Sequence, residues 1–277
     1  RVKAVVESCE NSPERVFQAI FDEKPESEVD LVTTPYTVEL YTSSRDDYEK
    51  AYGRTEPENA QSGAFHRGYS RVPGLEDGGI IVVDSTAVDA WRKGSTKKDI
   101  VAHERQHAFR KFIDGELKQE ATEVLSRASQ NDLTKLLREL PENERASVAV
   151  DLFKTVRDVH FEITVKDELL AYYRDGRQPR LIEHTLSESS LYNKFPQAKN
   201  EAIKNMTDVG ITDMEANFIY GMVFETGYKV KLHNLVELLE DARKTGLTRH
   251  EIATLMTTKK LEEWLDVVKQ EQEKVKR

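Results

Sequence analysis

A chain of 277 residues has room for one large domain or two smaller ones around a well-buried core. Its net charge of −9, with 33% charged residues, argues against nucleic acid or an anionic membrane as the main partner. A single cysteine, Cys9, excludes an internal disulfide and a cysteine-only metal site.

No apolar run reaches the length of a membrane span, and the first residues lack the apolar core of a signal peptide. With the single cysteine, this favours a soluble, cytoplasmic protein but leaves the localisation open. Ser12 and Pro13 open a helix over 13–22 with Val16, Phe17 and Ile20 on one apolar face. Residues 25–30 are polar and read as a connection. YTVELY over 36–41 alternates like a half-buried strand, and a short charged helix follows over 45–52. Residues 53–62 carry almost nothing apolar and are expected to form a loop or flap. A second strand is predicted over 64–72. The β-branched run 80–83, between Gly78-Gly79 and Asp84-Ser85, is the strongest strand signal in the chain.

Beyond residue 86 the periodicity is helical. It predicts helices over 86–93, 97–113, 117–128, 131–139, 143–174, 197–206, 212–225, 229–244, 248–255 and 258–275. Thr96 with Asp99 and Thr248 with Glu251 have capping-box spacing. The expected class is α+β, mostly α: a small N-terminal sheet packed on one long helix, then a helical C-terminal region. The division is drawn as 1–185 and 186–277.

The helix over 97–113 contains H-E-x-x-H at His103, Glu104 and His107. Residues four apart on a helix project from one face about 6 Å apart along the axis, so two imidazoles can bind one ion. Glu104 is turned by about 100° and can reach a water at that ion without binding the ion itself. Val101, Ala108, Phe109, Phe112 and Ile113 gather on one side of the same helix, with the histidines roughly opposite. A catalytic zinc takes three protein ligands and keeps one position open. A three-histidine extension of the motif is excluded, because Arg110 and Ile113 stand where it needs Gly and His. The remaining pattern takes a carboxylate from a later helix. On the helix over 152–174, Leu152, Val156, Val159, Ile163 and Leu170 mark one side and Glu168 the other, with Ala171 one turn beyond it.

On these residues the stretch 100–175 resembles the zincin metallopeptidases of the glutamate-zincin (gluzincin) type. The resemblance implies His103 and His107 as zinc ligands, Glu104 as general base and Glu168 as third ligand. Asp167 and Glu162 are the alternatives on the same helix. The thermolysin-like N-E-x-x-S-D signature is absent, so Glu168 rests on helix position and Ala171. The resemblance also implies one zinc ion, a peptide or protein substrate and an edge strand that pairs with it. Residues 80–83 are the candidate for that strand, with an interior strand as the competing reading.

Further candidates surround this core. Asp175 is placed to hydrogen-bond a ligand histidine, or else is a turn residue before Gly176. His160 borders the site or lies on an ordinary helix face. His184, Tyr172, Tyr173 and Tyr192 are candidates for stabilising an oxyanion. His66, His233 and His250 read as structural or exposed. The alternative functions are an inactive or structural zinc-binding interaction protein and a zinc hydrolase of a non-peptide amide or ester. The C-terminal helices read as scaffold, with a protein partner or self-association through Trp264 as the other possibility.

Overall fold

Four short strands form the sheet: β1 (Val29–Thr33), β2 (Val38–Thr42), β3 (Ala64–Arg67) and β4 (Ile80–Asp84). Their order is β1-β2-β4-β3, with β2 and β4 parallel and both outer strands antiparallel to their neighbours. The computed structural model describes residues 2–53, 63–67, 72–75, 79–87, 99–127, 130–188 and 199–275. Most of the expected flap, most of the helix expected over 86–93, Thr96 and Tyr192 lie outside the described residues.

The helices are α1 (Val2–Ser8), α2 (Pro13–Phe21), α3 (Arg45–Tyr52), α4 (Ile100–Arg127), α5 (Gln130–Glu139), α6 (Glu142–His160), α7 (Lys166–Arg174), α8 (Pro179–Glu188), α9 (Lys199–Thr207), α10 (Asp213–Phe218), α11 (Gly227–Arg243), α12 (Arg249–Thr257) and α13 (Leu261–Val275). The chain is thus α+β and mostly helical, with a small sheet on its N-terminal side. Among the described residues no helix is long and apolar enough to cross a membrane.

The chain divides into two compact units: Arg1–Gly115 with Leu170–Arg177, and Glu116–Leu169 with Gln178–Arg277. In the first unit both sheet faces are covered. Val38, Leu40, Ile80 and Val82 bury with Val5 and Val6 of α1, Val16 and Phe17 of α2 and Tyr48 of α3. Ile81 and Val83 bury with Ala64, Val101 and Ala108, which brings α4 onto the opposite face. A strand buried on both faces loses the alternation of a half-exposed one, which is why 80–83 reads as a continuous apolar run.

Three expectations for this unit change. The strand over 80–83 is interior, paired with β2 on one side and β3 on the other, so it is not the edge. Two elements went unread: α1 and β1, the latter entered through the polar stretch 25–30. Asp47 ties down that entry by accepting N–H groups from Glu26 and Ser27, each at 2.8 Å. Burial alone would raise its carboxyl, but hydrogen bonds from Ser27, Glu26 and Ser44 outweigh burial and hold it at about 2. The start of α4 also differs. The Asp99 carboxylate accepts the Ala102 N–H at 3.0 Å, so Asp99 itself caps a helix that begins at Ile100.

In the second unit the helix expected over 143–174 is interrupted. A π-turn, Phe161–Val165, joins α6 to α7, and a second, Ile219–Thr226, joins α10 to α11. A π-turn inserts a residue and rotates the face that follows it. Burial accordingly follows Phe153, Val156 and His160, then Phe161, Val165 and Leu169, while Leu152, Val159 and Ile163 of the expected stripe are only half-buried. Arg157 donates to the Val223 carbonyl at 2.8 Å, satisfying a backbone group in the second π-turn. Phe153, Tyr220, Phe224 and Tyr228 stack in series beside it. Helix α8 went unread, and the capping box at Thr248 and Glu251 is present.

His160 is buried in this second unit beside Tyr228, with ring centroids 6.3 Å apart. It is therefore a core histidine and does not join the donor cluster described below. Burial pushes its pKa down from 6.5 to about 4. The unfolded chain takes up this proton near 6.5 and the folded one only near 4, so acidification through that window favours unfolding. The full effect is about 3 kcal/mol. Urea denaturation at pH 7 and pH 4.5 should show this loss of stability, and His160→Phe should remove most of it; equal losses in both proteins would contradict the assignment.

Candidate metal centre

Helix α4 is held over its first two turns by polar contacts within the first unit. The Asp99 N–H donates to the Asp175 carbonyl at 3.1 Å, joining the start of α4 to the end of α7. The two residues inside the motif, Arg105 and Gln106, take different partners. Arg105 forms a bidentate pair with Glu39 of β2, at 2.6 and 2.7 Å. Glu39 is wholly buried, and the Tyr41 hydroxyl donates to it at 2.9 Å. Burial, together with the neighbouring Glu39, pushes the Tyr41 phenol up to about 12, so it remains a donor. Gln106, also wholly buried, accepts from Arg174 of α7 at 3.2 Å.

These contacts settle the faces of α4. Val101 and Ala108 are buried as expected, but Phe112 is 46% and Ile113 42% exposed. Phe112 instead stacks on Tyr36, with centroids 5.5 Å apart. The apolar stripe read from the sequence is replaced in part by Gln106 and Arg110, both buried. Gln106 is accommodated on this face by the Arg174 guanidinium of α7.

His103 and His107 approach edge to face, with their Nε2 atoms 3.1 Å apart. Two nitrogens at about 2.0–2.1 Å from one zinc, at the tetrahedral angle, stand about 3.3 Å apart. Glu168, half-buried on α7, completes a group whose ligand atoms all lie within 4.8 Å of one another. Helix α7 runs unbroken from Glu168 into the segment Leu170–Arg177 that belongs to the first unit. Two imidazole nitrogens and a carboxylate oxygen form a donor set suited to a first-row divalent ion, so His103, His107 and Glu168 can hold a metal ion. Asp167 and Glu162 are not members of the group, and Glu162 faces Lys166 at 3.3 Å.

No protein-family model, curated protein or solved structure matches the chain. The functional reading rests on geometry.

Asp175 is buried, with Oδ2 3.7 Å from His103 Nδ1, so the Nε2 of that ring is the nitrogen left to the donor cluster. The same oxygen lies 3.3 Å from Arg177 Nε, and Asp175 Oδ1 accepts the Arg177 N–H at 3.2 Å. Asp175 is thus both turn residue and neighbour of a candidate ligand. Tyr172 packs its ring 4.9 Å from that of His103, and the Arg177 guanidinium covers Tyr172 at 4.0 Å. Glu104 is half-buried on α4 directly after His103. His184 is exposed on α8 of the second unit, and Tyr173 is wholly buried; neither belongs to the donor group.

Sequence reasoning missed the Glu39–Arg105 pair, the Gln106–Arg174 contact and His66, whose ring lies near His107. One signal was legible: a glutamate within the alternating strand YTVELY needs a partner when that strand is interior. Arg105→Leu should cost about 3 kcal/mol, because it strands the wholly buried Glu39 carboxylate, and Glu39→Leu should cost less, because Arg105 is 35% exposed. The double change should cost less than the two single changes together. Chemical denaturation in a double-mutant cycle measures the difference, and strict additivity would contradict the pairing.

Proposed function

We propose that this protein is a zinc-dependent metallopeptidase of the gluzincin type. The observation that carries this reading is the convergence of His103, His107 and Glu168, with Glu104 beside the first histidine on the same helix. In this reading His103 and His107 bind zinc through Nε2, and Glu168 binds it through a carboxylate oxygen. When bound, zinc supplies Lewis acidity to a peptide carbonyl and to an attacking water.

The remaining work falls to the chain. Glu104 removes a proton from water as its oxygen adds to the carbonyl carbon, then delivers that proton to the amide nitrogen as the C–N bond breaks. Asp175 faces Nδ1 of His103, Tyr172 packs against that ring, and Arg177 covers Tyr172. The Glu39–Arg105 pair sets the rotation of the helix that carries Glu104. Among the described residues β4 is interior, so in this reading an extended substrate does not pair with it.

A partner-binding role has one supporting observation. Met214, Phe218 and Met222 are spaced four apart and are 79%, 57% and 54% exposed. Glu104 weighs against a purely structural site, because metal retention alone does not need it.

Glu104→Gln should keep about one equivalent of zinc and lose hydrolysis of unstructured peptides by at least about 10²-fold. Metal analysis and a peptide-library digestion, with and without chelator, check both halves. Retained hydrolysis would contradict the role of Glu104, and purified wild-type protein without zinc would contradict the metal site.

A further inference from the structure

The second π-turn, Ile219–Thr226, lies inside one continuous helical stretch that runs from Asp213 to Arg243. In an α-helix every fourth residue is carried about 40° further round the axis, so regular winding would set Val230 about 160° from Met214. A π-turn closes i→i+5 hydrogen bonds and takes more than four residues per turn, so the same step there falls back instead. Two steps of each kind separate Met214 from Val230, and their rotations largely cancel. Burial records the result. Ala216, Tyr220, Phe224, Tyr228 and Leu232 are buried at every fourth position. Met214, Phe218, Met222, Thr226 and Val230 are exposed at every fourth position. One straight row therefore faces inward and another outward.

Single exposed apolar residues are ordinary, but an aligned row of them along about four turns suits a second helix. The one polar member, Thr226, donates its hydroxyl to the Gly221 carbonyl at 2.9 Å, so its hydrogen bond is made within the helix. Gly221 stands at the midpoint of the row, beside Met222. Glycine is unfavourable inside a helix, and a Cβ added at Gly221 would meet nothing within 4 Å, so packing among the described residues does not require it. It does let another backbone approach closely at that point. The charges beside the row are self-complementary. Asp213 and Lys229 stand at equal distances in sequence before and after Gly221, on a neighbouring row with the same four-residue step. Both are exposed, and among the described residues neither makes an ion pair. An antiparallel second copy centred here brings Asp213 of each chain opposite Lys229 of the other, and Met214 opposite Val230. A parallel copy would set like charges together.

We propose that this row is the interface of a homodimer, in which residues 213–230 of two copies pack antiparallel across a two-fold axis at Gly221 and Met222. A second copy is the occupant that the charges of the row itself select. Such a contact uses the same patch on both chains, so it closes at two copies and leaves no open end. One helix pair covers less than the roughly 800 Å² per partner of a standard interface, so the dimer is weak and forms with rising concentration. The proposal does not depend on the metal centre or on the peptidase reading.

Sedimentation equilibrium of the purified chain, from about 1 µM to about 200 µM, tests the proposal. The wild type should pass from one chain to two over that range. Phe218→Glu combined with Met222→Glu should raise the dimer dissociation constant at least about tenfold, a shift of about 1.4 kcal/mol. The far-UV circular dichroism of that variant should match the wild type, because both side chains are exposed. Asp213→Lys and Lys229→Asp should each weaken the dimer by about three- to tenfold, since each sets like charges opposite one another at both ends. Combined in one chain, the two reversals should restore the wild-type constant; this exchange decides the matter if the glutamate variant does not fold. A wild type that stays monomeric at the highest concentration would overturn the proposal and leave the row to a different partner. A dimer indifferent to Phe218 and Met222 would overturn it as well, and so would a combined charge exchange no better than the single reversals.

Discussion

Much of the candidate centre depends on one ion pair, the wholly buried Glu39 with the half-buried Arg105. A carboxylate on an interior strand is costly unless it is matched by charge and hydrogen bonds, and Arg105 and Tyr41 supply both. The pair also fixes the rotation of α4 about its own axis. His103 lies two residues before Arg105 and His107 two after it. At about 100° per residue, both project roughly opposite to Arg105. Gln106, a quarter-turn from Arg105, takes the Arg174 guanidinium of α7. The two unspecified positions of H-E-x-x-H therefore orient the three specified ones. A helix held this way presents its histidines without having to bury them in the apolar layer against the sheet.

The local part of this arrangement was legible. Two histidines and a glutamate at helical spacing carry their geometry with them, because the helix imposes it. The run 80–83 was legible as a strand because β-branched residues there are buried on both faces. Glu168 was a candidate by its place on a helix downstream of the motif, and its carboxylate does lie with the two histidines, although Leu152, Val159 and Ile163 of the stripe read opposite it are only half-buried.

What was not legible came from pairings between distant segments. Nothing local in 80–83 says that 64–67 pairs with it on the side away from β2. Strand β1 was hidden because the polar stretch before it is ordered by Asp47, some twenty residues later. The π-turn at Phe161–Val165 follows from tertiary packing, and it displaces the apolar face that a regular period would predict for α7. His66 is ambiguous for the same reason. A histidine in a short alternating strand acquires meaning only when register sets it beside His107.

The central claim is that His103, His107 and Glu168 together hold one zinc ion. Diffraction data recorded on both sides of the zinc absorption edge, from crystals of the zinc-loaded protein, test it most directly. The account predicts a single strong anomalous peak about 2.0–2.2 Å from both Nε2 atoms and from a Glu168 carboxylate oxygen. A peak bound elsewhere, or no peak at these three side chains, would contradict it.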